Sequence, residues 1–201
     1  MNTSDREFVF SDLYRLTEIL QKECEALCDV IEFEDDIETI VRRVGALEDD
    51  ADNAFHGITY YYVENKLSDD KEAMLLLSVA EAVETCTDQV DELSKDLFRY
   101  NVTSIKDNAV SSIISTESAS NKLLELIMSM KKIIELDHFK VESDKIYDNQ
   151  MRKLFLNEKD PVEIIKWKDI YTSLRSIFFA YERVSELCGR YQIGRASCRE
   201  R

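Results

Sequence analysis

Residues 46–58 read ALEDDADNAFHGI, with acidic side chains at Glu48, Asp49, Asp50 and Asp52. On a helix each residue turns about 100° around the axis. Asp49 and Asp50 then face away from the apolar row of this stretch, whereas Glu48 points into the row and Asp52 lies at its edge. The row consists of Ile37, Val41, Val44 and Phe55. A carboxylate in such a place loses hydration, so we expect it to hold a proton, pair with a basic side chain or bind a cation.

The composition around this stretch favours long helices in a water-soluble protein. The chain has 201 residues, of which 44% are hydrophobic and only five are glycine or proline (four and one). A formal net charge of −15 argues against non-specific binding to nucleic acid or anionic lipid. No apolar run approaches the roughly 20 residues of a membrane helix, and no signal peptide pattern is present. We therefore expect a cytoplasmic protein without direct membrane insertion.

Hydrophobic periodicity and capping residues predict an all-α chain of six helices. Asp69, with Glu72 three residues later, indicates an N-terminal capping box, and Asp160 before Pro161 indicates another helix start. The predicted helices cover about 12–30, 36–66, 70–100, 108–134, 137–156 and 160 onward.

The same acidic motif, ExxxD, occurs in the second and third predicted helices, at 48–52 (EDDAD) and 84–88 (ETCTD). Because positions i and i+4 share a helix face, two such helices can place four carboxylates around one point. About ninety residues later, 140–144 (KVESD) and 175–179 (RSIFF) hold the corresponding places. This predicts one domain, residues 1–192, built from two diverged three-helix repeats, at about 10–100 and 104–192.

The acidic motifs define a candidate metal site in the first repeat. Its expected ligands are Glu48, Asp52, Glu84 and Asp88, with Asp91 two turns beyond Glu84 and His56 one turn beyond Asp52 as additions. Oxygen-rich clusters suit hard cations. The expected cofactor is a divalent or ferric ion, with iron, zinc, manganese and magnesium all open. A solvated acidic face without metal is the alternative.

The stretch ESDKIYDNQMRKLFLNEKDPVEIIKWKDIYTSL, residues 142–174, closely resembles the PhoU-like phosphate-transport regulators. The resemblance is to the branch of accessory proteins for Pit-type, low-affinity phosphate transporters. It extends over about 10–190, since ALEDDADNAFHGI and AEAVETCTDQVDEL (80–93) fit the family's acidic helices. It implies a PhoU-like bundle of two antiparallel three-helix units, metal binding through ExxxD motifs, and a non-enzymatic role in controlling phosphate uptake.

The resemblance also implies partners and a location. The expected partner is a Pit-type phosphate permease or its regulatory partner, which would hold the protein at the periphery of the inner membrane. Nucleic acid is not an expected partner, and homo-oligomerisation stays open.

The second repeat departs from the family pattern. Lys140 and Arg175 stand where the family has Glu, and Phe179 stands where it has the closing Asp. We therefore expect no metal there. By helical angle, Lys140 and Arg175 should pair with Asp144 and Glu182, and Phe179 should pack in the core.

Two other functions and one non-native segment are also considered. A carboxylate-bridged di-metal enzyme would use two Glu-x-x-His motifs, and the sequence has one, Glu135 to His138. A metal-free structural bundle is the second alternative. The last nine residues, IGRASCRER (193–201), match the translation of a DNA string that resembles a sequencing adapter, so we interpret them as a non-native tail.

Overall fold

A computed structural model describes residues 1–32, 36–130 and 139–199, and all regular structure in these ranges is helical. The six helices predicted from the sequence are present. They are α1 (Thr3–Cys28), α2 (Ile37–Glu64), α3 (Lys71–Arg99), α4 (Asp107–Ser129), α5 (Phe139–Asn157) and α6 (Pro161–Arg199). Short 3₁₀ helices follow α1 and α2, at Asp29–Ile31 and Leu67–Asp69.

The helices pack into one bundle with a continuous apolar core. Each of α1, α2 and α3 contacts the other two, and α4 and α5 both pack against α6. Extensive contacts between α3 and α6, and between α1 and α4, join the two halves of the chain. The all-α fold predicted from the sequence is thus confirmed. None of the helices described combines the length and the apolar character that crossing a membrane requires.

Side-chain caps define where several helices begin. Asp160 caps α6 by accepting a hydrogen bond from the Val162 amide at 2.9 Å, as predicted. The predicted cap of α3 was wrong by one residue. Asp70, not Asp69, accepts from the amides of Glu72 and Ala73, at 2.9 and 3.0 Å. Asp69 is instead the last residue of a 3₁₀ turn, which moves the helix start one position onward.

Three helix ends also differ from the predicted ones. α4 ends at Ser129 rather than near residue 134. α1 begins at Thr3 rather than near residue 12, because Asn2 and Asp5 form a reciprocal capping box ahead of it. α6 continues past residue 192, where the native chain was expected to end, to Arg199. Residues 193–199 contain no proline, which would interrupt a helix. The non-native origin of the tail stays a prediction.

Candidate cation site between the first three helices

The acidic side chains of α2 divide between its two faces as the helical angle predicted. Asp49 and Asp50 are exposed, whereas Glu48 and Asp52 are half-buried. Val44 and Ala51, on the same side as these two carboxylates, are fully buried in the core. The packing of the apolar row against α1 and α3 therefore carries Glu48 and Asp52 to the seam between the helices.

α3 brings its own acids to this seam. Its core face includes Val83 and Val90, both fully buried, and Asp91 beside Val90 is only 4% exposed. Glu84 is half-buried and Asp88 lies nearer to solvent. The two acidic motifs thus sit on facing helices, with Asp91 at the deepest point of the α3 row.

Three of the predicted ligands meet. One carboxylate oxygen each from Glu48, Asp52 and Asp88 lies within 4.8 Å of the other two. Oxygen ligands of a hard cation stand about 2.0–2.6 Å from it, so oxygens around one ion are several ångströms apart. The spacing and the all-oxygen donor set fit a single Mg²⁺, Mn²⁺ or iron ion.

The electrostatics show that the carboxylates crowd one another. Burial, together with the charges of Asp88 and Asp52, raises the pKa of Glu84 to about 7. Burial and the charge of Asp52 raise the pKa of Asp88. Burial and then the charges of Asp52 and Asp91 raise the pKa of Glu48. Glu84 therefore lies within electrostatic reach of the trio, although the trio forms without it.

One basic side chain offsets part of this charge. Lys95, one turn after Asp91 on α3, forms an ion pair with the Asp91 carboxylate. That hydrogen bond raises the pKa of Lys95. The charge of the ammonium offsets part of the rise in the pKa values of Glu48 and Asp88. The sequence prediction did not include Lys95, although its i,i+4 spacing from Asp91 was a usable signal.

His56 does not join this cluster. It is exposed, and its ring nitrogens are not among the ligand atoms that meet. His56 follows Asp52 by one helical turn, but its side chain is exposed whereas that of Asp52 is half-buried.

A further acid, Glu23 on α1, was missed by the sequence prediction. Its side chain is fully buried, and within the described part of the chain neither carboxylate oxygen has a hydrogen-bond partner. Burial raises the pKa of Glu23 well above its ordinary value, and the charges of Asp91, Glu48 and Asp88 raise it further. The signal was present in the sequence, because Glu23 interrupts the apolar row that includes Leu20 and Leu27.

In the described part of the second half, the places that correspond to the acidic motifs hold an ion pair. The Arg175 guanidinium binds Oδ1 of Asp144 through Nη2 at 2.6 Å and Nε at 2.8 Å, which confirms the predicted pair. Arg175 also lies 4.7 Å from the ring centres of both Tyr147 and Phe179. The Lys140 side chain is outside the described residues, as are Glu135 and His138.

Phe179 does not occupy the core position expected for it. Its side chain is half-buried against Arg175, while the preceding Phe178 is 7% exposed and packs in the core. Glu182 is half-buried. The ring of Phe179 therefore packs against the guanidinium of Arg175, and Phe178 takes the core position.

Neither a model of a known protein family nor a curated protein matches this chain. The site is therefore interpreted from its own chemistry. Carboxylates alone, on two facing helices, can hold a hard multivalent cation.

Proposed function

We propose that the protein is a non-enzymatic accessory regulator of inorganic phosphate transport whose first half binds a divalent or ferric ion. The observation that carries the cation site is the convergence of Glu48, Asp52 and Asp88 from two helices. The link to phosphate transport rests on the resemblance of residues 142–174 to the PhoU-like regulators.

The donor set supports a hard cation rather than a soft one. Every group in the cluster is a carboxylate, and hard ions such as Mg²⁺, Mn²⁺ and ferric iron prefer oxygen ligands. The nearby thiols of Cys24 and Cys86 are fully buried. Burial raises the pKa of Cys24 to about 12 and that of Cys86 well above its ordinary value, so neither offers a thiolate at neutral pH.

The turn between α5 and α6 is the surface that we propose contacts the transporter. It exposes four large apolar side chains, each between 56% and 67% exposed: Phe155, Leu156, Val162 and Ile165. Apolar groups clustered at one surface location are typical of protein–protein contacts. This turn is also the part of the chain in which the resemblance to Pit-type accessory proteins is most specific.

The charges of the α5–α6 turn favour an acidic partner surface. Its acids are engaged within the protein, since Glu158 pairs with Lys106 at 2.9 Å and Glu163 with Lys166 at 2.7 Å. Three basic side chains of the turn and its flanks are exposed: Arg152, Lys153 and Lys159. The exposed Lys168 pairs with Asp169 at 3.3 Å. In an acidic chain this end is locally basic, so an acidic face of the transporter is the complementary partner.

Cation binding is tested on the purified, chelator-treated chain by calorimetric titration with Mn²⁺. We expect stoichiometric binding that Asp88→Asn weakens at least tenfold. Asp50→Asn is the matched control, because it makes the same change at an exposed position of α2, the helix that carries Glu48 and Asp52, and its affinity should stay within twofold of wild type. If wild type binds no Mn²⁺, Mg²⁺ or ferric ion, the protein is a metal-free bundle.

The transport role is tested by deleting the gene in its host and measuring phosphate uptake at low and high phosphate. Wild-type protein should restore the altered uptake. A Phe155→Ser, Ile165→Ser variant should fold normally but fail to restore it. The control, Ile114→Ser, alters an exposed apolar residue on α4. Uptake that is unchanged by the deletion at both phosphate levels would contradict the proposal.

A further inference from the structure

Glu23 is a fully buried acid of α1 that interacts electrostatically with the acids of the cation site. Its neighbours on α1, Leu20, Cys24 and Leu27, are all fully buried, and Glu23 itself is 0% exposed. Most buried carboxylates accept hydrogen bonds or pair with a base. Both oxygens of Glu23 lack a partner among the described residues, so its place in the interior has no structural explanation within the protein.

The side chain faces the cluster rather than an unrelated part of the core. The three charges that act on it are those of Asp91 on α3, Glu48 on α2 and Asp88 on α3. Two of these, Glu48 and Asp88, belong to the converging trio. The oxygens of Glu23 are not among those that meet within 4.8 Å, so this fully buried acid is an interior neighbour of the trio rather than a member of it.

Asp91, whose charge acts on Glu23, also has a carboxylate oxygen without a hydrogen-bond partner among the described residues. Its Oδ2 pairs with Lys95, but its Oδ1 is buried and has no partner among the described residues. A β-carbon placed on Gly45 of α2 would lie 3.6 Å from this oxygen, so Oδ1 is held against the α2 backbone. Two buried carboxylates that interact electrostatically thus have oxygens without a partner among the described residues.

We propose that Glu23 binds the cation of this site through a water on the ion, and that a bound cation consequently links α1 to α2 and α3. This inference rests on the proposed cation site, which it extends from two helices to three. A hydrated cation would supply the hydrogen-bond partner that the Glu23 oxygens lack among the described residues. The site then contributes enough negative charge to favour a multivalent ion over a monovalent one.

The proposal predicts opposite effects of one substitution on binding and on stability. Glu23→Gln keeps the shape of the side chain but removes the carboxylate. By Mn²⁺ titration calorimetry on the chelator-treated full chain, its affinity should fall at least tenfold. Glu23→Leu, which completes the apolar row, should lose Mn²⁺ affinity in the same way, and in the cation-free state its thermal midpoint should rise by about 2 °C or more, because a buried carboxyl without a partner is removed. Glu23→Gln should leave the cation-free midpoint nearly unchanged, since its buried amide also lacks a partner.

Glu25→Gln is the matched control, since it makes the same change on α1 at an exposed position. Its Mn²⁺ affinity should stay within twofold of wild type, and its midpoint should not change. Glu23→Gln with wild-type affinity, or Glu23→Leu with a lower cation-free midpoint, overturns the inference. If Asp88→Asn loses Mn²⁺ while Glu23→Gln retains it, the proposed site stands and only the role of Glu23 fails. Absence of binding by wild type overturns both.

Discussion

The raised pKa of Glu84 should make the stability of the protein depend on pH. Its pKa is raised from 4.5 to about 7, mainly by burial and then by Asp88 and Asp52. Between these two pH values the folded protein keeps a proton that the unfolded chain has released. Stability from this group is therefore lost as the pH rises from about 4.5 to 7, and it does not change further above pH 7.

Replacing Glu84 by Gln should remove this pH dependence. We expect Glu84→Gln and wild type to differ little near pH 4.5, and the variant to be more stable by about 1 kcal/mol above pH 7. The gain is small because Glu84 is only partly buried and solvent screens its charge. Urea unfolding from pH 4.5 to 8 with a chelator present measures it, with the exposed Glu81→Gln as control. A difference independent of pH would contradict the prediction.

At the same scale, Arg175 forms an ion pair with Asp144 in the second half of the chain. Its pair with Asp144 is about one-third exposed, with side-chain values of 34% and 38%, so it is weaker than a fully buried pair. The contacts with Tyr147 and Phe179 add about 0.5–1 kcal/mol each.

We accordingly expect Arg175→Ala to destabilise the protein by about 1–2 kcal/mol, less than the roughly 3–5 kcal/mol of a broken buried pair. Added Mn²⁺ should not restore the loss. Arg183→Ala on the same helix is the control, because that exposed side chain pairs only loosely with Glu186, at 3.6 Å. Urea denaturation gives both values, and equal effects of the two variants would show that the Asp144 pair contributes nothing.

At the scale of the element, α3 begins where a side chain can satisfy its free amides. Asp70 accepts two of them and also pairs with the N-terminal ammonium of Met1. The pKa of Asp70 is lowered, first by the ammonium and then by the Ala73 amide. Its contacts join the start of α3 to the start of α1.

Asp70→Ala should therefore cost about 1–2 kcal/mol of unfolding free energy, the range for the loss of a helix cap. Asp69→Ala, at the position predicted from the sequence, should cost less than about 0.5 kcal/mol because Asp69 is exposed and caps no α-helix. Chemical denaturation compares the two. Equal losses of unfolding free energy in the two variants would contradict the assignment of Asp70 as the helix cap.

At the scale of the whole molecule, buried polar contacts join the two halves of the bundle. Tyr181 on α6 is fully buried, and its hydroxyl lies 3.1 Å from Sγ of Cys24 on α1 and 3.2 Å from the Thr116 carbonyl oxygen on α4. The Tyr181 hydroxyl thus connects α6 to both α1 and α4, which belong to different halves of the chain.

Tyr181→Phe should destabilise the protein by about 1–2 kcal/mol, since it leaves buried groups without a partner. Both halves should still unfold in one transition, because the core is continuous. Tyr60→Phe serves as control, as Tyr60 is 64% exposed and bonds only Glu64 within its own helix. Thermal unfolding followed by circular dichroism measures both. A Tyr181→Phe protein as stable as wild type would mean that packing alone joins the halves.

The sequence by itself determined the number of helices, most of their ends, and the faces that Glu48 and Asp52 occupy. These properties depend on local periodicity and capping, which a few neighbouring residues decide. The pair of Arg175 and Asp144 was also predictable, from their corresponding places in the two acidic-motif repeats. The Asp70 cap was missed by one residue because two adjacent aspartates offer the same local signal.

Only the tertiary structure decided which carboxylates meet. Periodicity specifies the face of a helix, but not how far that helix is shifted or rotated against its neighbours. Asp88 rather than Glu84 therefore completes the trio, and His56 turns outward. The inward position of Glu23 and the pairing of Lys95 with Asp91 depend in the same way on how α1, α2 and α3 pack together. The chemistry of the site arises from this packing, because burial and mutual approach are what turn ordinary acids into a candidate cation site.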